Sequence, residues 1–397
     1  MGQHGGGAAI ERIAGARRPR RAGCDTTSRV RLDVPDEVRN KVLADGNEAW
    51  LAGLPSALES LARDWSLTIG ETLRGGHAAL VVATTLADGT ASVLKVGVPG
   101  HRRELGFEAA VLALAAGDGC ARLLRQDLTR DALLLERLGP TMCDVIPHPA
   151  TRHDVLCDVA AQLWRPVGDD IDLLTGADVA RRLRVVVSRL WEELGRPCSQ
   201  ETIDDAIACA ENRERAYDRR RSVLVHGDVH DANALQAADG RFKLIDPDGI
   251  RAEPACDLGT IVRCNPDSGD DLRSRAERLA ARTGVDATAI WEWGTMHRVI
   301  GGLHSVRIDF QPVRPPSSGR GGPAHTDDLT GTNMPVGAVV GRSGRAFAAA
   351  DHTARCGAES IAWDFVAGRV GSPVGPPLGS WSGLVVNQPP PQVLVDD

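Results

Sequence analysis

The sequence predicts an α+β fold in which a small mixed region with an antiparallel sheet precedes a larger, mainly helical region. Two strand-like runs, Ala79–Leu86 and residues 91–98, are joined by an Ala-Asp-Gly turn at residues 87–89, which is typical of a β-hairpin. From residue 152 to residue 218, apolar side chains recur instead at steps of three and four residues, the period of a helix with one buried face. This change of period separates the sheet region from the helical region.

The remaining elements follow from the same two periods. Residues 102–116 have the apolar spacing of a helix, and residues 132–138 form an apolar run that is typical of a buried strand. Together with the hairpin they predict a small mixed sheet. The later elements are, in chain order, short strands at residues 223–225, 234–236 and 242–245 and helices at residues 272–283 and 289–308.

Both ends of the chain differ in composition from its middle. Residues 1–33 are rich in glycine and arginine and have no hydrophobic period, which predicts a disordered basic leader. Residues 313–397 contain almost half of the 23 prolines, and no hydrophobic period continues through them. We expect this tail to be disordered or aberrant.

The overall composition limits the classes of partner. The net charge of −7 and the pI near 5.9 argue against a nucleic-acid partner and suit a cationic small substrate. The nine cysteines have irregular spacings and include no C-x-x-C pair, so they indicate neither a zinc site nor a disulfide framework. No apolar run reaches the roughly 18 residues of a membrane span, and no apolar segment follows the N-terminal arginines. We expect a cytoplasmic monomer without a membrane partner.

The most informative stretch reads VHGDVHDAN at residues 225–233, followed by KLIDPDG at residues 243–249. Asp228 and Asn233 are five positions apart, which is the spacing of the aspartate and the asparagine in a kinase catalytic loop. Asp246 ends the return strand of the next hairpin, from which its carboxylate can reach the same metal as Asn233. We therefore predict that Asp228 orients the acceptor hydroxyl and takes its proton. Asn233 and Asp246 supply oxygen ligands to Mg²⁺, the metal that accompanies ATP.

A zinc site is the alternative interpretation of this stretch. His226, Asp228 and His230 alternate along the chain, and such a group could ligate zinc in a hydrolase. That interpretation leaves Asn233 and the IDPD segment unexplained. We favour His226 and His230 as residues that fix the loop by hydrogen bonds.

Residues that bind ATP are predicted in the N-terminal sheet and just after it. Lys95 lies inside an apolar strand, where an unpaired ammonium group would be costly, so a glutamate of the next helix should pair with it. Glu108 is the first choice for that partner and Glu104 is the alternative. Gly75 and Gly76 either let backbone N–H groups approach the phosphates or simply make a turn. Glu136 and Leu138 follow a buried strand, where the hinge between the lobes should bind adenine through backbone groups.

With these residues, the chain resembles the aminoglycoside phosphotransferase family and looks closest to its streptomycin 6-phosphotransferase and hydroxyurea phosphotransferase branch. The segments that carry the resemblance are WLAGLP at residues 50–55, LLLERL at 133–138, the stretch 225–233, and residues 245–258, which end in EPACDL. The resemblance implies a two-lobed, protein-kinase-like fold that binds ATP between the lobes. The N-lobe would span residues 34–138 and the C-lobe residues 139–312.

The resemblance also implies the roles of individual residues. It makes Asp228 the catalytic base and Asn233 and Asp246 the magnesium ligands, and it gives Asp257 the role of bracing the catalytic loop. The acceptor would be a cationic aminoglycoside of the streptomycin type, for which the candidate acidic contacts are Asp231, Glu253 and Glu292. The alternative acceptors are hydroxyurea and another small metabolite. The alternative function is that of a nucleotide-binding protein of the same fold with impaired catalysis. The tail after residue 312 does not match the helix that closes the family's fold.

Overall fold

The computed structural model describes residues 32–73, 79–265 and 271–307, which form two lobes. The N-terminal lobe is built on a five-stranded antiparallel sheet with the strand order β1-β2-β3-β5-β4. Its elements are α1 (Asp36–Ala44), α2 (Glu48–Trp65), β1 (Leu67–Leu73), β2 (Ala79–Leu86), β3 (Ala91–Gly97), α3 (Arg102–Ala115), β4 (Leu123–Asp127) and β5 (Ala132–Glu136).

The central strands of this sheet confirm the predicted hairpin and the predicted buried strand. Alternate residues of β5 face opposite sides, because successive side chains of a strand point to opposite faces of the sheet. Ala132 and Leu134 belong to the hydrophobic core that includes α1 and α2, whereas Leu133 and Leu135 belong to the core that includes α3 and the C-terminal lobe. The sheet therefore has apolar side chains on both faces.

The C-terminal lobe is mainly helical. Its elements are α4 (Met142–Val145), α5 (Pro149–Ala161), β6 (Leu174–Thr175), α6 (Gly176–Glu193), α7 (Gln200–Ala216), β7 (Val223–Val225), β8 (Ala234–Gln236), β9 (Phe242–Leu244), β10 (Ile250–Ala252), α8 (Ala255–Arg263), α9 (Leu272–Thr283) and α10 (Ala287–Arg307). Strand β10 pairs with β7 in the antiparallel direction and with β6 in the parallel direction, and β8 and β9 form the predicted hairpin.

The segment between α3 and β4 connects the two lobes by hydrogen bonds. The backbone N–H of Leu244 in β9 donates to the carbonyl of Gly119, and the N–H of Ala121 donates to the carbonyl of Leu244, both at 2.8 Å. This pairing fixes the β8–β9 hairpin, which leads into Asp246, against the lobe that carries Lys95.

The architecture is a two-lobed, protein-kinase-like α+β fold, as predicted. The lobe boundaries at residues 33, 138 and 312 stay predictions. Over the parts of the chain that the structure describes, no helix has both the length and the apolar character that a membrane crossing requires. No disulfide joins the cysteines of these ranges.

Candidate active site

The loop that follows β7 requires glycine at its second position. Gly227 has a φ of 92°, in the left-handed region that side chains with a Cβ rarely adopt. A Cβ at this position would lie 2.6 Å from Cδ1 of Ile250 and 3.0 Å from Cβ of Asp248. The glycine therefore lets the chain turn sharply and brings Asp228 into position.

Asp257, on the first turn of α8, holds the backbone of this loop. Its carboxylate accepts hydrogen bonds from the N–H groups of His226 at 3.1 Å and Gly227 at 2.8 Å, and from Nε1 of Trp164 at 3.0 Å. Burial raises the pKa of Asp257 to about 6, against the opposing effect of these three donors. This geometry agrees with the predicted bracing role.

Both histidines of the loop take part in hydrogen bonds within it. Nδ1 of His226 accepts from the N–H of Asp228 at 3.2 Å, and Nε2 lies 2.9 Å from the carbonyl of Ile245, to which it donates. Burial lowers the pKa of His226 to about 4, so its ring is neutral at neutral pH. Nδ1 of His230 accepts from the N–H of Ala232 at 3.2 Å.

These hydrogen bonds argue against the zinc alternative. Both ring nitrogens of His226 are engaged in shaping the loop, so neither is available as a metal ligand. In addition, the described ranges contain no group of three or more His, Cys, Asp and Glu side chains that could hold a metal ion.

Asp228 is buried among groups that favour its charged form. Its Oδ1 forms an ion pair with the guanidinium of Arg263, and its Oδ2 lies 3.4 Å from Nε2 of His230. Nδ2 of Asn233 donates to the carbonyl of Asp228 at 3.1 Å and to Oδ2 at 3.2 Å. Burial alone would raise the pKa of Asp228, but His230 and Arg263 hold it well below its usual range. The carboxylate is therefore ionised.

Lys95 contacts two carboxylates, one in each lobe. Its Nζ lies 2.8 Å from both oxygens of Glu108 on α3 and 2.6 Å from Oδ1 of Asp246. Burial alone would lower the pKa of Lys95, but Asp246 and Glu108 raise it above its usual value, so the ammonium stays charged. Of the two possible partners on α3, the structure pairs Lys95 with Glu108 and not with Glu104. Asp246 has a φ of 58°, a left-handed conformation that is uncommon outside glycine.

The predicted hinge region contains a second ion pair between the lobes. The side chain of Glu136, at the end of β5, accepts from Nζ of Lys243 in β9 at 2.5 Å and from the N–H of Arg122 at 2.7 Å. Leu138 is buried two residues further along. Their predicted contacts with adenine stay a prediction, and the predicted phosphate-binding residues Gly75 and Gly76 lie outside the described residues.

Asp231 is one of the three acids that the sequence suggested for contacts with the acceptor. In the structure it pairs with a buried arginine. Asp231 is 2% exposed and forms an ion pair with Nε of Arg152 at 2.8 Å. Nδ2 of Asn265 donates to the same carboxylate at 3.2 Å. These contacts favour a structural role for Asp231, and its contact with an acceptor stays a prediction.

Glu253 and Glu292 share one cation, Arg213 of α7. The distances from Arg213 are 3.2 Å to Oε1 of Glu253 and 2.6 Å to Oε2 of Glu292. Glu253 follows β10, whose last residue pairs with Val223 at the start of β7. The catalytic loop leaves the other end of β7, so the structure does not bring Glu253 together with Asp228.

The comparisons with known proteins agree with this geometry. The family model described as "Aminoglycoside/hydroxyurea antibiotic resistance kinase" matches residues 64–291. The chain belongs to this family. It is 31% identical over 268 residues to a streptomycin 6-kinase of Streptomyces glaucescens, a match that covers 64% of this chain and 85% of that protein. A hydroxyurea phosphotransferase of Kitasatospora aureofaciens is 28% identical over 276 residues, which cover 68% of this chain and 78% of that protein.

Among solved structures, a choline kinase from Streptococcus pneumoniae matches with a TM-score of 0.45 and 13% identity. The match covers 63% of this chain and 89% of the choline kinase. Membership of the resistance-kinase family identifies the chain as a phosphotransferase that acts on hydroxyl groups of small molecules.

Two residues of this kinase escaped the sequence analysis. Arg263 contacts the carboxylate of Asp228, and Thr260 binds the backbone of the same loop at Val229. Both lie on α8 at steps of three residues after Asp257, so the helical period of this segment was the signal that could have indicated them.

Proposed function

We propose that this kinase transfers the γ-phosphoryl group of ATP to a hydroxyl group of an aminoglycoside of the streptomycin type. The observation that carries the proposal is that Lys95 of the N-terminal lobe binds Asp246, next to the loop on which Asn233 binds Asp228. A backbone hydrogen bond from Ile245 to Asn233 joins the two segments of the C-terminal lobe. The substrate class is supported by the streptomycin 6-kinase relative, of which the chain covers 85%.

The donor groups at the site fit a magnesium ion. Mg²⁺ prefers a few oxygen ligands from the protein and completes its shell with phosphates and water. Nδ2 of Asn233 is engaged with Asp228, so the amide oxygen Oδ1 is the atom that can ligate a metal. Asp246 contributes a carboxylate whose side chain is 36% exposed. When bound, the metal neutralises charge on the phosphates.

Lys95 has the position and charge to hold the phosphates of ATP. Its side chain is 13% exposed, and the buried Glu108 fixes it from the side of α3. An ammonium held in this way supplies a fixed positive charge to the phosphates as the bond to the leaving group breaks.

Asp228 orients the acceptor. In the proposed step, the acceptor oxygen forms a bond to the γ-phosphorus while the bond to the bridging oxygen breaks and ADP leaves. The proton of the acceptor hydroxyl passes to the carboxylate of Asp228. The ion pair with Arg263 favours the charged carboxylate, and in phosphoryl transfer positioning of the acceptor supplies most of the catalysis.

The decisive experiment measures phosphate transfer from labelled ATP with Mg²⁺ to streptomycin, with hydroxyurea as the second acceptor. We expect transfer to streptomycin by the wild type and a loss of about 10²- to 10⁴-fold in Asp228→Asn, which still binds ATP. Lys95→Ala should weaken the productive positioning of the phosphates. Unchanged turnover in Asp228→Asn would contradict the proposed chemistry, because a protein that only binds nucleotide does not need this carboxylate. Transfer to hydroxyurea alone would replace the aminoglycoside by the other acceptor of this family.

The proposal treats the protein as a cytoplasmic monomer, in keeping with its composition. Light scattering on a gel-filtration column tests the oligomeric state.

A further inference from the structure

One face of α8 contacts the catalytic loop at successive steps. Asp257, Thr260 and Arg263 are three residues apart and therefore lie along one side of the helix. Asp257 accepts from the first two N–H groups of the loop. The hydroxyl of Thr260 accepts from the N–H of Val229 and donates to the carbonyl of Val229, each at 3.1 Å. Arg263 binds the side chain of Asp228, which lies between Gly227 and Val229 in the loop. The helix thus fixes the backbone of the loop with two residues and its reactive side chain with a third.

We propose that Arg263 is a positioning residue that holds Oδ1 of Asp228, so that Oδ2 faces the acceptor hydroxyl. The proposal rests on the proposed function, in which Asp228 receives that hydroxyl. The two oxygens of Asp228 have different surroundings. Oδ1 is bound by Arg263, whereas Oδ2 lies 3.2 Å from Nδ2 of Asn233 and 3.4 Å from Nε2 of His230. Since Asn233 is the proposed metal ligand of the loop, the phosphates and the acceptor approach from the side of Oδ2.

The surroundings of Arg263 restrict the movement of its guanidinium group. The residue is 3% exposed and is the last residue of α8. Its carbonyl accepts from Nη1 of Arg298 on α10 at 3.4 Å, so both the side chain and the backbone of Arg263 are engaged. A planar guanidinium with several donors fixes the direction of a carboxylate better than a single ammonium does. The identity of the side chain at position 263 therefore matters, beyond its positive charge.

A purely structural role predicts a different outcome from a positioning role. If Arg263 only neutralises a buried charge, its loss lowers stability and leaves the turnover of each folded molecule unchanged. If it sets the direction of Asp228, its loss lowers kcat while the KM for ATP is retained, because Lys95 and the metal ligands are untouched. The KM-against-kcat comparison therefore separates the two roles.

The test compares Arg263→Gln and Arg263→Lys with a matched control, Arg275→Gln. Arg275 is also fully buried, and its guanidinium donates to backbone carbonyls at the end of α8, those of Val262 and Cys264, rather than to a catalytic side chain. It reproduces the disturbance of the helix end without touching the carboxylate. All variants are assayed as full-length protein with ATP and Mg²⁺. Phosphate transfer is measured at a saturating concentration of the acceptor, and hydrolysis of ATP is measured with water as the acceptor. The thermal unfolding curve of each variant gives the fraction that is folded at the assay temperature.

We expect Arg263→Gln to lower kcat about 100-fold with the KM for ATP changed less than about threefold, because small errors in the position of a catalytic group have effects of this size. Arg263→Lys should lose about tenfold, since it keeps the charge but not the planar set of donors. Guanidinium ion added to Arg263→Ala should restore part of the rate. Arg275→Gln should melt at a lower temperature and keep the kcat of the wild type.

Several results would overturn the inference. Wild-type kcat in Arg263→Gln excludes a positioning role, and so does an equal loss of kcat in Arg275→Gln. If Arg263→Gln does not fold, Arg263→Lys decides, and an unchanged kcat in that variant contradicts the proposal. These outcomes leave the proposed function intact. A wild type without turnover to any acceptor refutes the proposed function and the role of Arg263 with it.

Discussion

Replacing Asp257 should measure the free energy with which this residue holds the catalytic loop. The carboxylate is completely buried and accepts from two backbone N–H groups and one indole N–H. Asp257→Ala removes all three acceptor contacts and leaves the N–H groups of His226 and Gly227 buried without a partner. Asp257→Asn keeps one oxygen, and Trp164→Phe removes one donor while leaving the carboxylate bound to the backbone.

The structure gives a graded order of costs for these variants. A buried donor without an acceptor costs about 1–3 kcal/mol, so the two backbone donors left by Asp257→Ala cost about 4 kcal/mol together. In Asp257→Asn the remaining oxygen can accept from His226 and Trp164, and the NH₂ of the amide then faces the N–H of Gly227. That N–H loses its acceptor, at a cost of about 2 kcal/mol. Trp164→Phe loses a hydrogen bond without leaving a backbone donor unpaired and should cost about 1 kcal/mol. The largest of these values is a substantial part of the 5–15 kcal/mol that typically stabilises a domain.

The assay is equilibrium unfolding in urea, followed by the fluorescence of the eight tryptophans of the chain. The urea concentration at the midpoint should be highest for Trp164→Phe, lower for Asp257→Asn and lowest for Asp257→Ala, with unchanged slopes. Phosphate transfer should fall together with stability, because the released loop no longer holds Asp228. The reasoning is refuted if Asp257→Ala unfolds within about 1 kcal/mol of the wild type, since the loop would then have other means of satisfying its N–H groups.

Two further predictions concern groups outside the reacting centre. Asp231→Ala should destabilise the protein by about 3–5 kcal/mol in urea unfolding, because it leaves Arg152 buried without its carboxylate partner. The KM for the acceptor should stay unchanged in the folded fraction. A raised KM with normal stability would instead assign Asp231 to the acceptor site. Burial, together with Arg307 and Arg189, lowers the pKa of His304 to about 4 from its usual 6.5. The folded state then binds fewer protons at this side chain than the unfolded state does between these values, so the contribution of His304 to stability should fall by up to about 3 kcal/mol as the pH drops through this window. In urea titrations at several pH values, His304→Leu should reduce the total pH-dependent loss of stability by that amount.

The sequence was most informative where chemistry and local pattern coincide. The spacing of Asp228 and Asn233 depends on a single loop, and both residues are close neighbours in the structure. Lys95 could be recognised because a lysine in an apolar strand requires a carboxylate partner, and Glu108 supplies it. In both cases a local rule of the chain was sufficient.

Contacts between distant segments could not be read from local patterns. Strands β1 and β4 lie at the two edges of the sheet and expose many of their side chains, so neither shows the apolar run that indicated β2 and β5. The acids Glu253 and Glu292 look available to a cationic ligand in the sequence, yet both face Arg213 in the fold. Sequence shows the charge of a residue, whereas its partner depends on packing.

The two tests on α8 together distinguish folding from catalysis in one short helix. Asp257 binds the backbone of the loop, so its loss should lower stability and activity together. Arg263 binds the side chain of Asp228, so its loss should lower the turnover of molecules that remain folded. If both variants showed the same ratio of lost activity to lost stability, α8 would act as a simple support. A lower ratio at Asp257 than at Arg263 would instead show that this helix carries two separable functions at opposite ends, one for the shape of the loop and one for the direction of its carboxylate.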